Sequence, residues 1–308
     1  MPDARPLEEV ACCLCRGNRS RVLFHRPYEP GAFSECGDFG ATTDRFQNYG
    51  RIVRCLDCGH VFTNPRPAAP ELLDGYGACV DQEYLAESSS RSINAHLSLN
   101  TIKRFVRSGK LVEAGASVGY FLNAARADFE VTGLEPSRWA CDIARQRFKL
   151  DMLQEPVEGL SRLAPGSLDV VAMIDVIEHL ADPTGAAAAA ARALKPGGLL
   201  YLVTPDIDSL SARLLRGYWW GLRPAHIHYF SRASLGRMLA AAGFEVVRSA
   251  SFGRIFSYGY WASRLRHYPA FLYRSLTGLI RAWGVEDKFL YLNTRDAVEV
   301  CARKRAAA

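Results

Sequence analysis

At 308 residues and 49% hydrophobic, the chain can bury a full core and leave material for one or two small appendages. Its formal net charge of +6 is only mildly basic, which fits an anionic small substrate or an acidic partner and does not by itself argue for nucleic acid. Residues Met1–Glu9 have no apolar h-region, and no run approaches the roughly 18–20 apolar residues of a membrane helix, so a soluble cytoplasmic protein is expected.

Residues 1–67 read as irregular, carry six of the nine cysteines and end in the turn-rich Asn64-Pro-Arg-Pro67. In a cytosolic chain, cysteines at this density point to metal rather than disulfides. Cys12-Cys13-Leu14-Cys15 and Cys55-Leu-Asp-Cys58-Gly-His60 each contain C-x-x-C, and each tight turn aims two sulfurs at one point. A structural, tetrahedral Zn²⁺ held by Cys12, Cys15, Cys55 and Cys58 is expected; Cys13 could replace Cys12 in register, and Cys36 or His60 could compete. A segment this poor in apolar residues needs such a staple, because metal binding is itself folding free energy.

Residues 68–109 read as a helical linker or lid, with Ile93, Leu97, Ile102, Phe105 and Val106 near one face of 92–106. From Lys110 the chain alternates strand and helix, with strands expected at 110–115, 130–135, 151–155, 168–175 and 198–204. Asp182-Pro183 can cap an alanine-rich helix that Pro196-Gly-Gly198 can end. A helix near 231–242 and strands at Phe244–Val247 and Ala297–Ala302 complete the pattern. The rhythm is that of a parallel sheet covered on both faces, a Rossmann-like α/β domain over 110–308.

Leu111-Val-Glu-Ala-Gly-Ala-Ser-Val-Gly119 runs from a strand into a turn of small residues, and Thr132-Gly-Leu-Glu135 ends the next strand on an acid. Gly115, Ala116 and Ser117 let backbone lie against a ligand, and Glu135 is placed to accept from two ribose hydroxyls. The spacing is Gly115-x-x-x-Gly119, not the dinucleotide Gly-x-Gly-x-x-Gly, and Glu113 inside the strand suits a ligand with a cationic amino-acid part. Leu168–Leu180 is a buried strand running into Asp175, Glu178 and His179, and Leu194–Pro205 gives a turn and another buried strand.

Together these motifs make residues 90–303 resemble the class I S-adenosylmethionine-dependent methyltransferases. The resemblance implies a seven-stranded sheet whose last strand is antiparallel. It implies that Glu113, Gly115, Ser117 and Gly119 surround the methionine part of the cofactor and that Glu135, followed by Pro136, binds the ribose. Glu155-Pro-Val157-Glu158 would flank the adenine, and Asp175 and His179 would lie beside the transferable methyl. The family commonly has a second glycine where this chain has Ser117. Zinc-ribbon modules similar to residues 1–67 precede the transferase domain in some bacterial methyltransferases that act on sugar nucleotides or natural products.

Tyr218–Ser231 concentrates aromatics, Arg223, His226 and His228 where the carboxyl ends of the strands should open. The two histidines are expected to point oppositely, so that one at most faces the methyl. The run Ala225–Ser231 resembles the base-carrying segment of sugar C-methyltransferases with His226 in register, although those enzymes tend to have Glu where this chain has Ala225. Residues 246–285 hold six arginines and no acid, interleaved with aromatics. A helical insertion at about 254–290 is expected, with peripheral membrane contact through 254–284 as one use of its arginines. The expected activity is methyl transfer to O or C of a small anionic acceptor, nucleotide- or carrier-linked in one form; a cofactor-binding scaffold is the alternative, and nucleic acid is not the expected partner.

Overall fold

Strands β1 (Gly109–Ala114), β2 (Phe129–Leu134), β3 (Met152–Leu153), β4 (Leu168–Ile174), β5 (Leu194–Pro205), β6 (Phe244–Ser251) and β7 (Ala297–Lys304) form one sheet in the order β6-β7-β5-β4-β1-β2-β3. The computed structural model describes residues 7–28, 33, 36–43 and 48–306. Neighbours from β5 through β3 are parallel, and β7 runs antiparallel to both β5 and β6. The expected seven-stranded sheet is therefore present, and its last strand is the antiparallel one.

The two-residue period of the strands sends neighbouring side chains to opposite cores. Val112, Val171 and Leu200 pack under helices Pro183–Ala193 and Arg232–Ala241. Leu111, Val170 and Leu199 pack under Ser88–Lys103, Tyr120–Ala125 and Arg138–Phe148. Both faces are covered, which is why β4 is apolar almost throughout. Asp182 accepts the Gly185 N–H at 2.9 Å and Pro183 opens that helix, as its sequence requires.

Residues 1–67 are more regular than their sequence indicates. Ser20–Arg26, Gly50–Cys55 and Val61–Thr63 make an antiparallel sheet, and His228–Tyr229 joins it as a fourth strand against Val61–Phe62. These strands are short and their alternation is imperfect because the transferase side covers them: Tyr49, Ile52 and Val61 pack on Trp219, Leu222 and Tyr229. Cys79 is disulfide-bonded, which corrects the reading of the cysteines as metal ligands only. Cys36 lies in helix Cys36–Phe39, but its side chain is outside what the structure describes.

A boundary at residue 67 thus cuts a sheet. Deleting residues 1–67 would expose Trp219, Leu222 and Tyr229, at roughly 1.5–3 kcal/mol each. That loss is comparable to the ~5–15 kcal/mol total stability of a typical domain. The truncated chain is expected to aggregate or to lose its cooperative thermal transition; a sharp, near-wild-type transition by circular dichroism would refute the shared-core argument.

The insertion at 254–290 is helical at its centre and closed by a β-ribbon. Arg254–Ser257 pairs with Phe289–Leu292 around helices Tyr258–Ser263 and Ala270–Ala282. Asn94 anchors it with both amide atoms, donating to Ile255 O and accepting the Ile255 N–H, each at 2.8 Å.

Candidate active site

The turn after β1 is built on left-handed backbone, with φ of +79° at Gly115, +48° at Ser117 and +84° at Gly119. A Cβ on Gly115 would stand 2.5 Å from Val176 Cγ2, and one on Gly119 2.5 Å from Leu150 Cδ1, so both positions require glycine. Ser117 carries a side chain at a φ that costs an L-residue roughly 1–2 kcal/mol. It is held there because its N–H donates to Glu135 Oε2 at 2.8 Å, while Ser137 N–H donates to Oε1 at 2.9 Å. The carboxylate therefore locks the turn to the start of the next helix, and each oxygen keeps lone-pair capacity for a further donor.

Glu113 is buried at the end of β1, and its Oε2 has no partner. Burial, reinforced by Glu135, pushes its carboxyl well above the usual carboxylate range. Arg91 lines the same small cavity, of about 150 Å³, with Ser117 and Asp175. Its guanidinium lies 4.2 Å from the Tyr84 ring centre, and Nε and Nη2 are buried without partners. An unpartnered carboxylate oxygen and an unpartnered guanidinium edge on one cavity complement the ammonium and carboxylate of an α-amino acid. Nothing in the sequence marks Arg91, which sits singly on a polar-looking helix.

The small cavity borders a larger one of about 1250 Å³. Gly115, Ser117 and Asp175 line both, Ala116 lines the smaller, and Glu135, Pro136 and Val157 line the larger. Gly119 lines neither and acts through chain geometry. Asp175 sits at φ +55° just past β4, and Arg254 Nη2 lies 2.6 and 2.7 Å from its two oxygens. Arg254 comes from the insertion, so the pairing was not legible in sequence.

On the far side His179 and His226 meet edge to face with ring centres 4.6 Å apart. His226 Nδ1 is 2.8 Å from Gly221 O and donates to it, leaving Nε2 as an acceptor. His179 Nδ1 is 2.9 Å from Ala225 O and 2.6 Å from Tyr76 Oη, which fixes that ring in the same tautomer. Burial, then His179 and Arg223, holds His226 well below the usual imidazole value, and burial brings His179 to about 4. Both rings are neutral near pH 7. Glu178 donates no charge there either: burial, then Asp175, raises it to about 8, with Thr204 Oγ1 donating to Oε2 at 2.9 Å. One ligating atom each of Glu178, His179 and His226 lies within 4.8 Å of the others, a spacing compatible with a cation as well as with proton transfer. His228 is not part of this group and does not line the cleft; it faces the ribbon, which corrects its placement among the candidate bases.

In the ribbon, Cys12 Sγ is 3.4 Å from Cys58 Sγ and Cys15 Sγ is 3.5 Å from Cys55 Sγ. All four sulfurs lie within 4.8 Å of one another, so Cys12, not Cys13, completes the four-thiol cluster. Tetrahedral thiolates on Zn²⁺ at ~2.3 Å stand about 3.8 Å apart, so the residues present fit the metal.

A doubly wound sheet with a left-handed small-residue turn after β1, an acid after β2 and a large cleft over the strand ends defines the class I methyltransferase fold. The methyltransferase-domain family profile matches residues 86–249, more than half of the chain, and the protein belongs to that family. The ubiquinone biosynthesis O-methyltransferase of Xanthomonas oryzae pv. oryzae is 30% identical over 159 residues, 46% of this chain and 65% of that protein. The enzyme of the same name from Thiobacillus denitrificans is 30% identical over 149 residues, 44% of this chain and 64% of that one. The chain thus spans less than two thirds of the length of these relatives. A SAM-dependent methyltransferase of Thermotoga maritima superposes with a TM-score of 0.50 at 22% identity, over 72% of this chain and 95% of that one, and shares the fold.

Proposed function

We propose that the protein transfers a methyl group from S-adenosylmethionine to oxygen or carbon of a small anionic acceptor. The observation that carries this reading is the unpartnered Glu113 and Arg91 pair on one cavity, next to Glu135. Glu113 would accept from the cofactor's ammonium, Arg91 would hold its carboxylate, Glu135 its ribose hydroxyls, and Pro136 and Val157 would flank the nucleoside. Bound there, the cofactor supplies an electrophilic sulfonium methyl. His226 Nε2, neutral and with Nδ1–H tied to Gly221 O, takes the acceptor's proton, and His179 with Tyr76 holds that ring in place. Arg223 lines the cleft beside them and favours an acceptor with negative charge. The O-methyltransferase names of the relatives favour oxygen, and the apolar wall of Leu265, Leu272, Leu276 and Ile280 favours a natural-product intermediate over a sugar nucleotide. The test is release of S-adenosylhomocysteine across a panel of phenols, enols and sugar nucleotides; binding of cofactor with no turnover on any member would favour the scaffold alternative.

The four-cysteine cluster is read as a structural Zn²⁺ site of a ribbon module over 1–67, with 68–109 as lid and 110–308 as the cofactor-binding domain. The four free thiols of the cluster fit a cytoplasmic setting, while the disulfide at Cys79 counts against it. No helix among the described residues is long and apolar enough to cross a membrane.

Peripheral membrane contact has its own support. Helix Ala270–Ala282 and its flank leave Phe271 67% and Trp283 74% exposed, and helix Leu210–Leu215 leaves Leu214 72% exposed. Leu272 and Leu276 of the first and Leu215 of the second line the cleft, so both helices reach it, with Arg274 and Arg281 on the first. Co-sedimentation with phosphatidylglycerol vesicles is expected at low salt and should fall several-fold in a Phe271→Ala, Trp283→Ala double variant. Equal sedimentation of the two proteins, or none, would remove the membrane reading.

A further inference from the structure

The C-x-x-C motifs leave Cys13 and His60 unassigned, and the cleft leaves His228 unassigned. The fold brings these three together at the seam where the ribbon sheet takes up its fourth strand. His60 Nε2 lies 3.1 Å from His228 Nδ1, and Cys13 Sγ lies 3.8 Å from the same nitrogen. One ligating atom of each residue lies within 4.8 Å of the other two.

We propose that Cys13 Sγ, His60 Nε2 and His228 Nδ1 form a second metal site, separate from the four-cysteine cluster, that takes Zn²⁺ or a cation of similar borderline softness. A tetrahedral ion with bonds of ~2.0–2.1 Å to nitrogen and ~2.3 Å to sulfur needs N···N near 3.3 Å and N···S near 3.6 Å. The His60–His228 and Cys13–His228 separations meet these within a few tenths of an ångström, and Cys13 and His60 lie within 4.8 Å of each other. One thiolate and two imidazoles are the donor set of zinc rather than of magnesium or calcium.

The surroundings fit a ligating histidine. The backbone carbonyls of Ala181 and Leu180 lie beside the His228 ring, and a proton held toward them on Nε2 would leave Nδ1 as the lone-pair atom. His60 is fully buried, its Nε2 faces His228 Nδ1, and its Nδ1 has no protein partner. Arg66 brings positive charge, with Nη1 3.5 Å from His228 Nε2, but Glu8 lies 3.6 Å from its Nε. A Cys13 thiolate, Arg66 and Glu8 together carry net negative charge, which a cation would neutralise.

The arrangement also gives the site a task. Cys13 directly follows the zinc-cluster residue Cys12, and His228 lies two residues beyond His226. An ion at this seam ties the ribbon to the strand His228–Tyr229 that directly follows the proposed base, so it would position His226 without touching the acceptor.

The test is metal stoichiometry in the full-length protein. Wild-type chain, Cys13→Ser and His60→Gln are equilibrated with excess Zn²⁺, desalted and counted by inductively coupled plasma mass spectrometry. Two zinc ions per chain are expected in wild type and one in each variant. With Co²⁺ in place of zinc, thiolate-to-cobalt absorption should fall by about one fifth in Cys13→Ser, since one thiolate of five is removed. The wild-type count needs no variant to fold, and the ion retained in each variant reports an intact ribbon. A single ion in wild type that survives Cys13→Ser, or two ions in both variants, would overturn the proposal and leave a His60–His228 hydrogen bond. Failure of the four-cysteine reading shows separately, as a Cys58→Ser count equal to wild type.

Discussion

Replacing Glu135 with alanine should weaken S-adenosylmethionine and S-adenosylhomocysteine alike by at least about 100-fold in calorimetric titration. Two hydrogen bonds from ribose hydroxyls to a carboxylate contribute on the order of 1.5–3 kcal/mol each. The same substitution also frees the Ser117 and Ser137 N–H groups that Glu135 now accepts, so a left-handed turn on a non-glycine residue loses its tether. Arg91→Met supplies the complementary measurement. It keeps side-chain length beside Tyr84 but loses the charged donors, for about a tenfold loss of S-adenosylmethionine affinity. The analogue 5′-methylthioadenosine has no amino-acid part, so it should bind Arg91→Met as it binds wild type and still be lost in Glu135→Ala. Equal losses of both ligands in Arg91→Met would mean the arginine shapes the fold and does not receive the carboxylate. Unchanged affinity in Glu135→Ala, with the thermal transition intact, would move the ribose elsewhere.

His226→Gln should lower kcat by about 10²–10⁴-fold on the acceptor that the panel identifies, with cofactor affinity unchanged. The pH dependence carries an independent signature. A free imidazole base would lose activity as pH falls through about 6.5. Burial, His179 and Arg223 all disfavour the charged form of His226, so its proton arrives only well below that value. Wild-type kcat should therefore stay flat from pH 8 to below 6.5. A decline centred near 6.5 would identify a solvent-exposed base instead, and a His226→Gln enzyme within threefold of wild type would leave alignment of the acceptor as the source of the rate.

The side of the cleft to which we assign the cofactor was legible in the sequence because its parts are local. Glu113, Gly115 and Ser117 follow from one strand and its turn, and Glu135 from the end of the next strand. Parallel pairing of β1 with β2 then sets the two loops side by side, with Glu113 opposite Gly133. The acceptor half was legible only in part: Tyr218–Ser231 offered Arg223 and His226, but Tyr76 and Arg254 come from helix Ala69–Ala78 and the insertion, and on the cofactor side Arg91 comes from helix Ser88–Lys103. No periodicity in a single chain reports which of its many arginines turn inward.

What the sequence determined by itself was every feature set by short-range geometry. The alternation of apolar strands and capped helices dictates a doubly wound sheet, and the C-x-x-C turns dictate two knuckles. The tertiary structure alone decided which way each pair faces. Pairing of His228–Tyr229 with Val61–Phe62 turns His228 into the ribbon and leaves His226 to the cleft. The same packing sends Cys12 into the four-thiol cluster and Cys13 toward His228. Residues i and i+2 of an extended strand share a face, so the parting of His226 from His228 was not legible locally: the strand begins only at His228, and its partner strand fixes which way that ring turns.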